Sequence, residues 1–130
     1  MKVLVDTSIW SLALRRKSPG FATEKLTDLI LSSQVVLIGP VRQELLSGIS
    51  DEKVFNDLKA RLAPFDDLPI TTTDYEAAAG FFNTCRARGV QGSHIDFLIC
   101  AVAANNNLLI YTSDRDFEQF SKHLPIRLLA

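Results

Sequence analysis

The chain has 130 residues, of which 47% are hydrophobic and 22% are charged, and its net charge is −1. This length and composition are typical of one globular domain, so we expect a single domain over residues 1–130 and exclude a disordered or fibrous protein. The charge offers no general attraction to phosphates, so a nucleic-acid function would depend on a local site, with metal ions supplying much of the positive charge.

The N-terminal segment and the two cysteines indicate a cytoplasmic protein. No apolar run approaches the roughly 20 residues that a membrane-spanning helix needs, and Asp6 interrupts the apolar stretch that a signal peptide would require. Cys85 and Cys100 lack the paired spacing of a structural zinc site. Two free thiols in apolar helical segments fit a reducing compartment.

Short apolar runs alternate with longer amphipathic segments along the whole chain. The runs predict strands at Val3–Val5, Val35–Ile38, Leu108–Tyr111 and Ile126–Leu129. The longer segments predict helices at Phe21–Ser32, Val41–Gly48, Glu52–Leu62, Asp74–Arg88, Ser93–Asn106 and Asp116–His123. Strands that are apolar on both faces and separated by helices are typical of a buried parallel sheet. We therefore expect an α/β fold, with three layers (α/β/α) and a central parallel sheet of about four to five strands.

Acidic residues follow the first two predicted strands, and each also has an ordinary structural explanation. Asp6 comes directly after the first strand, where Asp6, Thr7 and Ser8 are equally suited to start a helix. Glu44 lies one turn into the helix after the second strand, at the edge of its apolar face. An exposed glutamate at such a position is common and needs no functional reason.

Asp96 is harder to explain by structure alone. It forms an S-x-x-D capping box with Ser93, which is a structural role. It also shares a helical face with Ile99 and Ala103 in the most apolar helix of the chain. A carboxylate on a buried face is costly unless it is paired or binds a cation. The two roles are compatible, because a helix N-terminus favours the ionised carboxylate, and we expect Asp96 to be a metal ligand.

Two further candidates follow the strand that ends at Tyr111. Asp116 lies three residues after Ser113, and a second capping box would account for it. Asp114 has no such explanation. We therefore interpret Asp114 as the ligand and Asp116 as its support, and the reverse order stays open.

The carboxyl ends of parallel strands meet at one edge of a sheet, so these acids are expected to converge there. The four expected ligands are Asp6, Glu44, Asp96 and Asp114. Four carboxylates in one place repel each other unless a cation neutralises them. Ligand sets made only of oxygen suit Mg²⁺ or Mn²⁺, and phosphodiester hydrolysis is the reaction that such a site serves best.

Four stretches of the chain resemble the signature stretches of the PIN-domain family, and they occur in the same order. They are VLVDTSIW, PVRQELLSG, HIDFLICAVAA and LLIYTSDRDF. The sequence is most similar to the small VapC-type toxins of type II toxin–antitoxin modules. This resemblance implies a Mg²⁺- or Mn²⁺-dependent endoribonuclease that cleaves RNA, forms a homodimer and is held inactive by a VapB-like antitoxin.

The resemblance also implies roles for individual residues. The four acids named above match the acidic positions of the family, while Thr7, Ser8 and Thr112 match polar residues that support those acids. Basic residues near the site are candidates for phosphate contacts, although a solvent-exposed charge is the favoured explanation for each one taken individually. These are Arg115 and, on the first helical segment, Arg15, Arg16 and Lys17.

Aromatic residues at helical positions are expected in the core or at a dimer interface rather than as stacking platforms for bases. They are Trp10, Phe81, Phe82 and Phe97. His94 is interpreted as a residue that starts a helix.

Other α/β families with acids at strand ends fit less well. A receiver domain would carry an acidic pair after the first strand, and a haloacid-dehalogenase-type phosphatase would have an aspartate where Ser8 stands. A Rossmann protein would have GxGxxG after that strand. The remaining alternative is a catalytically silent PIN-like scaffold that binds protein or RNA, and the presence of all four acids argues against it.

Overall fold

Strands and helices alternate along the chain, as the hydrophobic pattern predicts. The computed structural model describes residues 1–15 and 20–130. The elements in this part of the chain are β1 (Val3–Val5), α1 (Thr7–Arg15), α2 (Phe21–Leu31), β2 (Val35–Val36), α3 (Gly39–Leu46), α4 (Glu52–Leu62), α5 (Thr72–Ala87), α6 (His94–Asn105), β3 (Leu109–Tyr111) and α7 (Asp116–Ser121). None of these helices is both long and apolar enough to cross a membrane.

The strands form a parallel sheet in which β1 is central, in the order β2-β1-β3. Val3 pairs with Val35 on one side and with Leu109 on the other. All three residues of β1 are buried. Because successive side chains of a strand point to opposite faces, both faces of the sheet must be covered, as is usual for parallel sheets. The predicted α/β class with a parallel sheet is confirmed.

Among the described residues the sheet has three strands rather than the predicted four to five. The predicted strand Ile126–Leu129 contributes only one parallel bridge, between Leu128 and Ile110. The amide of Ile126 donates to the carbonyl of Leu124 (2.8 Å) and is therefore not part of the ladder. On the opposite edge Asp67 bridges Leu37, just past the end of β2. Each edge of the sheet is therefore extended by one bridge, to the segment around Asp67 on one side and to the segment around Leu128 on the other.

The predicted helix boundaries agree with the structure to within about two residues. α4 spans the predicted residues, and α5 and α6 each begin after a capping box, at Thr71 and Ser93. α3 begins at Gly39, since Pro40 is well tolerated in a first helical turn. α1 was not among the ranges predicted as helices, although a helix start at Asp6–Ser8 and a first helical segment with Arg15 were indicated.

α6 forms the centre of the core, with every residue from Phe97 to Ala103 buried. α5 packs along it, and the buried Asp74 at the start of α5 accepts a 2.8 Å hydrogen bond from the amide of Asn105 at the end of α6. Cys85 and Cys100 are buried free thiols, and burial raises the pKa of both. This packing holds the N-terminus of α6, and with it Asp96, at the edge of the sheet.

Candidate active site

Asp6 extends the central ladder of the sheet by one residue. Its amide donates to the carbonyl of Tyr111 (2.9 Å), and its side chain is only 6% exposed. Its Oδ2 accepts hydrogen bonds from the hydroxyls of Ser8 (2.9 Å) and Thr112 (2.8 Å). These donors are hydroxyls rather than amides of α1, so the carboxylate does not act as a helix cap. Asp6 is therefore a buried acid held by two hydroxyl groups.

Thr112 connects Asp6 to the loop that carries Asp114. Its hydroxyl donates to Asp6 and accepts from the amide of Asp114 (2.9 Å). In parallel, the hydroxyl of Ser8 accepts from the amide of Ser113 (3.0 Å). Two short side chains thus join the start of α1 to the segment after β3, which places both aspartates at the carboxyl end of β1 and β3.

The second capping box, predicted between Ser113 and Asp116, is wrong. α7 begins at Asp116 itself, and its N-cap, Arg115, makes no side-chain cap. Ser113 does not cap the helix, because a capping box has its cap directly before the helix and its acid at the third helical position, whereas Asp116 is the first helical residue. Instead, Oδ1 of Asp114 accepts from the amide of Asp116 (2.9 Å). Asp114 stabilises the turn, and Asp116 is exposed.

Asp96 forms the predicted capping box with Ser93. Its Oδ2 accepts from the Ser93 amide (2.9 Å), and its own amide donates to the Ser93 hydroxyl (3.1 Å). Burial raises the pKa of Asp96 above its ordinary value, and the hydrogen bonds from Ser93 offset part of this effect. The negative charges of Asp114 and Asp6 raise the pKa further. The three aspartates therefore lie within electrostatic reach of one another.

Glu44 lies on the exposed side of α3. It lines a cavity of about 570 Å³ together with Tyr75 and His94. Among the described residues, no hydrogen bond joins it to the three aspartates. The electrostatic interactions therefore connect Asp6, Asp96 and Asp114, and Glu44 lines a neighbouring cavity.

The basic residues considered as phosphate contacts are only partly described. Arg115 is exposed at the start of α7, next to Asp114. The side chain of Arg15, together with Arg16 and Lys17, lies outside the described residues. Trp10 and Phe97 are buried as predicted, and Trp10 packs edge-on against Phe65.

The donors at the site are those that a hard cation prefers. Within the described residues, one oxygen of each aspartate accepts the hydrogen bonds given above, and the other accepts none. Among the described residues, an ion pair joins Arg42 to Asp67, away from the three aspartates. No described basic side chain forms an ion pair with these aspartates. No three His, Cys, Asp or Glu side chains of the described residues are close enough to hold an ion by themselves. Mg²⁺ is commonly bound by one or two carboxylates, with waters and substrate phosphates completing its shell. The site fits such an ion.

A small parallel α/β protein with acidic side chains at the carboxyl ends of its strands is the class that this fold and site define. The family model described as PIN domain matches residues 3–123, and the chain belongs to this family. The residues that gave the resemblance in the sequence are those that form the site and its neighbouring helices.

Solved structures match the chain along nearly its full length. FitAcB from Neisseria gonorrhoeae is 24% identical, with a TM-score of 0.79 over 98% of this chain and 96% of that chain. VapBC-5 from Mycobacterium tuberculosis, a member of the VapBC family of toxin–antitoxin systems, is 17% identical, with a TM-score of 0.71 over 99% and 98%. VapC20 from the same organism, a Sarcin-Ricin loop cleaving toxin, is 21% identical, with a TM-score of 0.68 over 97% and 99%. At these identities the matches establish the fold.

Proposed function

We propose that this protein is a metal-dependent endoribonuclease and the toxin of a toxin–antitoxin pair. The observation that carries the proposal is the group of three aspartates at one sheet edge, where two of them raise the pKa of the third. Membership of the PIN domain family supports it, as does the fold shared with toxins, one of which cleaves the Sarcin-Ricin loop.

In this proposal the cation lies among Asp6, Asp96 and Asp114, bound directly by one or two of these carboxylates and completed by waters and substrate. Each aspartate is already oriented through one oxygen, Asp6 by hydroxyls and the other two by backbone amides, while the second oxygen accepts no hydrogen bond from the described residues. Such support usually matters for metal binding, because it fixes the direction of each ligand before the ion arrives. A bound Mg²⁺ or Mn²⁺ would make water a nucleophile at neutral pH and neutralise charge that develops on a phosphodiester.

The remaining predicted residues act around this core. Thr7, Ser8 and Thr112 are supporting residues, of which Ser8 and Thr112 hold Asp6. The hydroxyl of Thr7 is buried, and none of the described residues forms a hydrogen bond with it. Glu44 contacts the substrate or helps to bind a second ion, and Arg115 contacts a phosphate. Asp116 contributes through its amide, which donates to Asp114.

The partners in this proposal are RNA, a VapB-like antitoxin and a second copy of the chain. A groove of about 490 Å³ between α1, α3 and α4 supports a protein partner. Its apolar lining includes Leu14, Leu45 and Leu58, and Val54 at its rim is 51% exposed. An amphipathic helix that inserts apolar side chains into a groove is a common way to bind such a surface. Light scattering would measure the oligomeric state with and without the antitoxin.

The direct test is incubation of the purified protein, freed of any partner, with total RNA in Mg²⁺, Mn²⁺ or EDTA. The variants Asp6→Asn and Asp96→Asn remove one charge each with little change of shape. Asp28→Asn, on the exposed face of α2, is the matched control. We expect discrete cuts that require metal, that persist in the control and that disappear in both site variants.

A catalytically silent scaffold predicts a different result. The RNA would stay intact under every condition, or cleavage would survive both site variants and so come from a contaminant. Either result would overturn the nuclease proposal, and the aspartates would then be caps and turn residues of a binding module.

A further inference from the structure

The cavity that Glu44 lines lies at the junction of α3, α5 and α6. It has a volume of about 570 Å³, within the range of cavities that bind small ligands. Glu44 lines it from α3, and Ile95 and Phe97, the neighbours of Asp96, line it from α6. The pocket therefore adjoins the acidic site through the same two helices that carry Glu44 and Asp96.

One wall of this pocket is polar. Gln43 and Glu44 on α3, and Ser47 directly after this helix, all line the pocket. The hydroxyl of Ser47 donates to the carbonyl of Gln43. The side-chain amide of Gln43 offers a donor and an acceptor, and Glu44 offers acceptors. A flat ligand with polar edges would find complementary groups on this wall.

The opposite wall presents the ring of His94, which is held in a fixed orientation. This ring stacks on Phe82, with centroids 5.2 Å apart and planes 14° apart. Phe82 is in turn supported by the guanidinium of Arg86, 5.9 Å from its ring, and by the edge-on ring of Phe97 at 5.6 Å. Phe82 does not line the pocket, so it supports His94 from behind and the ring of His94 borders the open space.

A second aromatic ring lies at the mouth of the pocket. Tyr75 on α5 lines it and is 55% exposed, which is unusual for a large aromatic residue in a folded protein. Proteins that bind single-stranded nucleic acid stack unpaired bases on such rings and read their edges with nearby polar groups. The pocket combines both features next to a site suited to a phosphodiester.

We propose that this pocket binds one nucleobase of single-stranded RNA, stacked on His94, beside the phosphodiester held at the three aspartates. The inference rests on the proposed function and names the part of the substrate that the neighbouring surface takes up. Gln43 and Glu44 contact the edge of the base, and Tyr75 covers its outer side.

The test measures base binding without cleavage. The ring protons of His94 and Tyr75 are followed by NMR in EDTA while adenosine, cytidine, guanosine or uridine 5′-monophosphate is added. Ribose 5-phosphate, which lacks the base, is the matched ligand. We expect upfield ring-current shifts at both residues with at least one nucleotide and none with ribose 5-phosphate.

Variants separate stacking from general effects on the fold. Loss of one stacking contact corresponds to roughly 1–3 kcal/mol, or roughly a 5- to 150-fold weaker Kd. We expect this loss in His94→Ala. His123→Ala, which alters a half-buried histidine away from the pocket, should bind like the wild type.

Three results would overturn the proposal. Equal shifts with ribose 5-phosphate would mean that only the phosphate binds, and unchanged His94 and Tyr75 signals would mean that the base binds elsewhere or not at all. If these signals instead change with protein concentration in the absence of nucleotide, a second copy of the chain covers the pocket. Because EDTA and mononucleotides require no catalysis, failure here leaves the RNA cleavage result untouched.

Discussion

Replacement of Thr112 by valine removes the hydroxyl that connects Asp6 to Asp114 while it keeps the shape of the side chain. Two hydrogen bonds are lost, one to the carboxylate of Asp6 (2.8 Å) and one from the amide of Asp114 (2.9 Å). A hydrogen bond to a charged group contributes about 1.5–3 kcal/mol. The bond from the Asp114 amide adds less, because Asp114 is half-exposed and water can replace the lost acceptor. We expect Thr112→Val to lower the free energy of unfolding by about 2 kcal/mol.

Urea denaturation in EDTA measures this change, with Thr84→Val on the exposed side of α5 as the matched control. Surface substitutions of that kind usually stay within about 0.5 kcal/mol. Ser8→Ala removes the other hydroxyl bound to the same oxygen of Asp6, so the double variant should deviate from additivity by at least about 0.5 kcal/mol. The reasoning is refuted if Thr112→Val is as stable as the control, or if its effect adds to that of Ser8→Ala without coupling.

Three further predictions concern the helices that position the site. A Cβ at Gly92 would lie 2.6 Å from the ring of Phe120, so Gly92→Ala should lower the free energy of unfolding by about 1–3 kcal/mol. Phe120→Leu in the same chain should recover part of this loss in a denaturation experiment. No recovery would argue against a steric cause. Ser93→Ala removes the N-cap of α6 and should cost about 0.5–2 kcal/mol by the same measurement, whereas an unchanged midpoint would mean that the cap contributes nothing. Burial alone would raise the pKa of Asp74, but hydrogen bonds from Thr71 and Asn105 lower it below its ordinary value of 3.8. Asp74 therefore contributes stability that is present above pH 3.8 and is lost as the pH falls through the lowered pKa. In Asp74→Asn the free energy of unfolding should fall less steeply with decreasing pH than in the wild type. An unchanged dependence on pH would contradict the assignment.

The fold was largely predictable from sequence because its strongest elements carry clear local patterns. β1 and α4 have the predicted boundaries, and α6 begins where its capping box indicates. The predicted strand Ile126–Leu129 fails because an apolar run shows burial but not how many backbone pairs a segment makes. In the part of the chain that the structure describes, only Leu128 forms a bridge, and the amide of Ile126 bonds back to Leu124.

The site was predictable to the extent that strand ends determine it. Asp6 and Asp114 follow paired parallel strands, so their proximity follows from topology. The role of Ser113 was misjudged, because the sequence does not reveal that its amide bonds Ser8 and that α7 starts three residues later. The position of Glu44 depends on how α3 is rotated against α5 and α6, which the periodicity of one helix cannot determine.

The pocket beside the site left no signal in the sequence. His94 and Phe82 lie twelve positions apart on different helices, and only the packing of α5 against α6 makes their rings parallel. A histidine at a helix start has no distinguishing pattern of its own. Features of this kind depend on tertiary contacts and require the structure.

The claim that the three aspartates bind a divalent cation is tested most directly by a Mn²⁺ titration followed by electron paramagnetic resonance. This measurement needs neither RNA nor turnover. We predict that the wild type and Asp28→Asn bind Mn²⁺ and that Asp6→Asn and Asp96→Asn bind it at least about tenfold more weakly. Equal Mn²⁺ affinity in all four proteins, or no binding by the wild type, would contradict the assignment of this site as a metal centre.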